Sequence, residues 1–124
     1  MANRLIQLKG GSDNLYPAGY TKNVAMTAAD CDNIQTPANI DVNVAYTGGN
    51  ICTIYITGGC VAGSTSANAW STLFTIPTPP TKLIYFNVAY STGFKMCRIT
   101  TAGKVEVYSP VAGESYWGNV TFVF

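Results

Sequence analysis

"AWSTLFTIPTPPTKLIYFNVAY", residues 69–90, sets two aromatic, apolar runs on either side of a proline-rich break, with Lys82 as its only charge. The runs "WSTLFTI" (70–76) and "KLIYFNVAY" (82–90) are rich in β-branched and aromatic residues and are bounded by turn formers, which predicts two strands. Proline lacks a backbone donor and fixes φ, so Pro77, Pro79 and Pro80 predict an extended connection between them.

The same two-residue period runs outward from this stretch. Upstream, "VNVAYT" (42–47) alternates Val42, Val44 and Tyr46 with polar or small neighbours, and "NICTIYIT" (50–57) follows after Gly48 and Gly49, a hairpin signal. Downstream, "STG" turns the chain into "FKMCRIT" (94–100), "TAG" turns that into "KVEVYS" (104–109), and "YWGNVTFVF" closes the chain after the loop "PVAGES". In the last run Val120, Phe122 and Phe124 share one face, and Trp117, Asn119, Thr121 and Val123 the other. Short strands with turn signals every 8–12 residues predict an all-β fold, an antiparallel β-sandwich (jelly-roll-like) of about 7–9 short strands. Helix has one claim, the capping-box spacing of Thr27 to Asp30, which predicts at most a single turn. Residues 1–40 are rich in turn formers and read as a short strand and an extended arm packing on the domain or a neighbouring subunit, with residues 41–124 as the sandwich head.

The chain has 124 residues, a length that suits one domain. Only 10% of its residues are charged against 48% hydrophobic, well below the roughly 25% charged of an average soluble domain. Thr, Asn, Ser and Gly supply polarity, and a partner chain covering part of the apolar surface would account for the rest. The net charge is +1 with no run of Lys or Arg, so nucleic acid is not an expected partner. No apolar stretch reaches 18 residues, so no membrane insertion is expected. "MANRLIQLKGG" lacks the apolar core of a signal peptide, which fits release by cell lysis.

Catalytic chemistry is thin. The chain contains no histidine, which removes a histidine base, a Ser-His-Asp triad and the usual metal clusters. Cys31, Cys52, Cys60 and Cys97 contain no C-x-x-C pair. Cys52 and Cys97 fall in strand-like runs and read as small buried hydrophobes, while a Cys52–Cys60 bridge stays open. Asp30 and Asp32 read as a turn or capping arrangement. The paired glycines of "GGSDN" and "YTGGN" lack a phosphate-loop lysine and read as turns. No catalytic residue, metal or cofactor is expected.

Aromatic residues make up 12% of the chain. Tyr108, Tyr116 and Trp117 gather around the loop carrying Glu114, with Asn119 on the Trp117 face. Rings that stack on a sugar, beside side chains that accept hydroxyl hydrogen bonds, let a rigid β surface hold a glycan. The candidate ligand-binding residues are therefore Tyr108, Glu114, Tyr116, Trp117 and Asn119, against the alternative that such residues simply pack at a sheet edge or a subunit contact.

Three stretches resemble the tip domains of phage tail fibre and receptor-binding proteins. "LIQLKGGSDNLYPAGYTKN" is similar to a segment in which a short strand precedes an "-LYP-" element. "WSTLFTIPTPPTKLIYFNVAY" is similar to a Trp strand followed by a proline-bearing loop and an aromatic strand. "CRITTAGKVEVYSPVAGESYWGNVTFVF" is similar to a closing hairpin with a terminal aromatic strand. The loop "IPTPPTK" departs from the family wording "-L-P-x-G-Y-x-P-", and four cysteines are more than the family leads one to expect. The resemblance implies a non-enzymatic, homotrimeric head on the virion that recognises a bacterial cell-surface glycan or protein and adjoins other fibre or virion proteins. Two alternatives remain: a structural capsid-decoration or fibre-knob protein without ligand, and a secreted carbohydrate-binding or small glycoside-active domain using a carboxylate such as Asp41, Glu106 or Glu114.

Overall fold

The computed structural model describes residues 7–9, 15–17, 21–35, 37, 40–45 and 50–124. Among these residues there are ten strands: β1 (Gln7–Lys9), β2 (Leu15–Pro17), β3 (Thr21–Ala25), β4 (Ile40–Ala45), β5 (Ile51–Val61), β6 (Trp70–Thr75), β7 (Ile84–Tyr90), β8 (Gly93–Ile99), β9 (Lys104–Tyr108) and β10 (Ser115–Val123). β1 and β2 pair antiparallel as a two-stranded ladder, and the other eight form one sheet in the order β3-β4-β5-β10-β7-β8-β9-β6. That sheet is antiparallel and curls into a half-barrel with a sandwich-like interior. The turns at "GGSDN" and at Gly48 and Gly49 lie outside the described residues. The pairing of Ala45 with Ile51 nevertheless joins β4 and β5 as the hairpin that their alternation predicts.

Alternation decides which side chains enter the core. Val42 and Val44 of β4 and Cys52, Ile54 and Ile56 of β5 meet Val88, Cys97, Ile99, Val105, Val107, Leu73 and Phe74 from the other half in one buried cluster. β10 belongs to both halves. It pairs with β5 from Ser115↔Val61 to Val123↔Ile51 and with β7 at Trp117↔Ala89, with an irregularity between Tyr116 and Gly118. A Cβ at position 118 would stand 3.0 Å from Val88 Cγ1 and 3.3 Å from the Asn87 carbonyl. Glycine there lets the two strands approach closely, as glycine does at barrel corners.

β7, β8 and β9 form a meander, and β6 returns beside β9, which makes a Greek key of the four. The proline segment is the crossover. It contains no strand, and it is anchored where the Ile76 N–H donates to the Gly103 carbonyl at 2.9 Å in the β8–β9 turn.

The far edge of β6 is not bare. Asp32 donates its N–H to the Leu73 carbonyl at 2.9 Å, and Cys31 and Ile34 bridge to Phe74 and Ala62. Asn33 fixes this segment from within: at 8% exposed, its amide donates to the Ser64 carbonyl and the Ser71 hydroxyl, and its oxygen accepts from the Ser64 hydroxyl. Residues 21–34 are thereby tied to the sandwich, so it begins ahead of residue 41.

Ala28–Asp30 form a helical turn. Thr27 and Asp30 form the capping box that their spacing predicts, and the Asp30 carboxylate accepts from both the Thr27 N–H (3.0 Å) and the Thr27 hydroxyl (2.8 Å). These two bonds hold the Asp30 carboxyl below its ordinary pKa.

Cys52 is a buried free thiol, so it forms no bridge to Cys60. The register explains this, because Cys52 lies opposite Phe122 and Cys60 opposite Tyr116, toward opposite ends of the β5–β10 ladder. Burial pushes the Cys52 thiol pKa up; burial and then the neighbouring Asp30 and Asp32 do the same for Cys31.

Candidate functional site

The five predicted site residues separate into two groups. Trp117 and Asn119 alternate outward on β10, exposed to solvent on the convex side. Tyr108 stands outward at the end of β9, its ring edge-on to Trp70 at 5.3 Å between centroids. Tyr116 and Glu114 lie beneath. Tyr116 is wholly buried, so its ring packs in the core and offers no platform for a ligand. Its hydroxyl donates to Glu114 Oε1 at 2.8 Å, and the same oxygen accepts from the Val111 N–H at 2.9 Å and lies 3.5 Å from Lys95 Nζ. Lys95 Nζ also donates to the Ser109 carbonyl at 2.6 Å. Glu114 is thus the staple of the β9–β10 loop, its Oε1 held by three groups of the protein itself.

Around Tyr108, the outward residues of β6, β9, β8 and β7 assemble a cluster the sequence does not announce. Register sets Thr72, Glu106, Arg98 and Tyr85 in one row across the four strands. Arg98 Nε donates to Glu106 Oε1 at 2.6 Å, and Thr72 reaches the other carboxylate oxygen at 3.4 Å. The Trp70 indole packs against the guanidinium, with Arg98 Cζ 4.1 Å from the ring centroid, and tilts toward Tyr85 at 6.2 Å. A guanidinium held between a carboxylate and an aromatic face loses little motion on contact with a ligand, because its geometry is already fixed.

Beside this cluster the same face turns apolar. Phe94 (76% exposed), Met96, Tyr85 and Trp117 all stand in solvent. Ala89 lies between two of them, paired with Phe94 on one side and Trp117 on the other. In the sequence "FKMCRIT" either set of apolar residues could face inward; the structure buries Cys97 and Ile99 and leaves Phe94 and Met96 outside.

The outer face of the β3-β4-β5-β10 half has a different character. Its rows read Asn23–Asn43–Thr53–Thr121 and Asp41–Tyr55–Asn119. The Thr53 and Thr121 hydroxyls are 3.0 Å apart and hydrogen-bonded. Asn119 therefore has Tyr55 as its cross-strand neighbour, a residue the sequence reading did not select. Of the carboxylates named as candidate glycoside-active groups, Glu106 and Glu114 are engaged as described, and Asp41 is exposed in the Tyr55 row.

Fold and surface together define an all-β module with a polar and an aromatic outer face. No protein-family model matches the chain, and no curated protein matches it.

Proposed function

We propose that the chain is a non-catalytic virion module, the trimeric tip of a phage fibre, which recognises a bacterial surface saccharide or protein. The observation that carries this reading is the exposed row of Trp117, Ala89 and Phe94, with Met96 and Tyr85 alongside. Contiguous apolar surface of this kind marks a contact with another molecule. In a chain with so few charges it suits the meeting of subunits about a threefold axis, where one patch is reused by every copy. The stapled β9–β10 loop and the Trp70–Arg98–Glu106 cluster add rigid, pre-formed surface, which lowers the ordering cost of recognition. The resemblance of the three sequence stretches to fibre tips supplies the biological setting, with assembly in the host cytoplasm and release by lysis.

Sedimentation with bacterial envelopes tests recognition. The reading predicts saturable binding of the purified protein to envelopes of at least one strain in a panel of Gram-negative and Gram-positive species. No binding across the panel would return the chain to the structural alternative, a knob or capsid decoration without a ligand.

A further inference from the structure

The polar outer face has its own chemistry, distinct from that of the aromatic face. Tyr55 is 46% exposed, and its two cross-strand neighbours are an exposed carboxylate, Asp41, and an exposed amide, Asn119. Side chains directly opposite one another on a sheet stand about 5 Å apart at Cβ. A ring is thereby flanked on both sides, within one hexose's width, by groups that bond hydroxyls. The adjoining row adds Asn43, Thr53 and Thr121.

From this juxtaposition we propose that Asp41, Tyr55 and Asn119 form a saccharide-binding seat for a neutral or amino sugar. A pyranose has an apolar C–H face and a rim of hydroxyls; the first stacks on Tyr55, and the second bonds the carboxylate and the amide. Charge narrows the ligand class. Among the described outward side chains of the β3-β4-β5-β10 half, Asp41 is the sole charged group. No described outward side chain there neutralises a phosphate, uronate or sialate, and Asp41 repels them; nucleic acid meets the same obstacle. A sugar ammonium, in contrast, gains a charge-assisted bond to Asp41. The strands hold all three residues in place, so the seat requires no loop to close.

The inference rests on the recognition role proposed above and names the ligand class and the face. Its test is a printed array of bacterial O-antigen and capsular repeat units, probed with the wild type, Tyr55→Ala, Tyr55→Phe, Asp41→Asn and, from the loop ahead of β7, Leu83→Ala, an exposed position outside both surfaces. Because Tyr55 and Asp41 are exposed, circular dichroism should show all variants folded. The expected result is binding confined to neutral and amino-sugar glycans, weakened about tenfold by Tyr55→Ala, the scale of one lost aromatic stack. Tyr55→Phe retains that binding, Asp41→Asn weakens it, most for amino sugars, and Leu83→Ala leaves it unchanged. Undiminished binding by Tyr55→Ala, or a preference for acidic glycans, overturns the seat. So does envelope sedimentation by the wild type without any glycan bound on the array, although recognition itself then stands. Absence of both envelope and glycan binding overturns the recognition role and the seat together.

Discussion

Replacing Glu114 should show that it holds the β9–β10 loop together. Its Oε1 accepts from the Tyr116 hydroxyl and the Val111 N–H and faces Lys95, whose side chain is only 16% exposed. Glu114→Ala removes the acceptor of the Tyr116 hydroxyl, and loss of a hydrogen-bond partner at a buried residue costs about 1–3 kcal/mol. Val111 is exposed, so water replaces its lost bond, and Lys95 keeps the Ser109 carbonyl. The total is about 2–3 kcal/mol, a fall in Tm on the order of 10 °C for a domain of this size. Tyr116→Phe removes the donor but leaves Glu114 its other partners, so it costs only about 0.5–1.5 kcal/mol. In the double variant the Tyr116–Glu114 bond is lost only once, so the two effects add to less than their sum by about 1 kcal/mol. Urea unfolding followed by tryptophan fluorescence, at one fixed protein concentration, measures all three. A cost for Glu114→Ala no greater than for Tyr116→Phe, or strict additivity of the two substitutions, would rule out Glu114 as the staple of this loop.

Three further outcomes are expected. Gly103 and Gly113 both lie at positive φ, +83° and +86°, but a Cβ at 103 would stand 2.6 Å from the Ile76 carbonyl whereas one at 113 meets nothing within 4 Å. Gly113→Ala should therefore cost about 1–2 kcal/mol of backbone strain alone, and Gly103→Ala distinctly more in the same urea titration; equal costs would mean the crossover yields freely. Cys31 and Cys52 both have raised thiol pKa values, so iodoacetamide should label neither appreciably at pH 7 in the native state, as read by peptide mass mapping, with the half-buried Cys31 reacting first as pH rises above 9.0. Asp30 has a depressed pKa when folded, so its contribution is present above the unfolded value of 3.8 and is lost as pH falls through the lower folded one. Wild type and Asp30→Asn should accordingly differ in Tm at neutral pH and converge in acid, and a constant difference across that range would exclude the Thr27 bonds as its source.

Much of the fold was legible because a strand with one face in the core carries an alternating pattern. Val42 and Val44, Ile54 and Ile56, and the terminal Val120 and Phe122 each fall on the inward side their spacing implies. Alternation fails where both faces are apolar: Phe94 and Met96 compete with Cys97 and Ile99, and only packing against Val105 and Val107 decides between them. The site was less legible because it depends on register between strands distant in sequence. Nothing local connects Tyr55 with Asn119, or Trp70 with Arg98. Tyr116 was misleading for a related reason. A tyrosine at a strand end reads as a surface ring, but the inward phase of β10 buries it, and Glu114, two residues earlier, supplies the partner that its hydroxyl needs there.

If the Phe94–Ala89–Trp117 row is shared between copies of the chain, the mass of the purified protein by multi-angle light scattering will show it. A trimer, three times the 13.2 kDa of one chain, that dissociates on Phe94→Asp is the predicted result. A monodisperse monomer at micromolar concentration would contradict it.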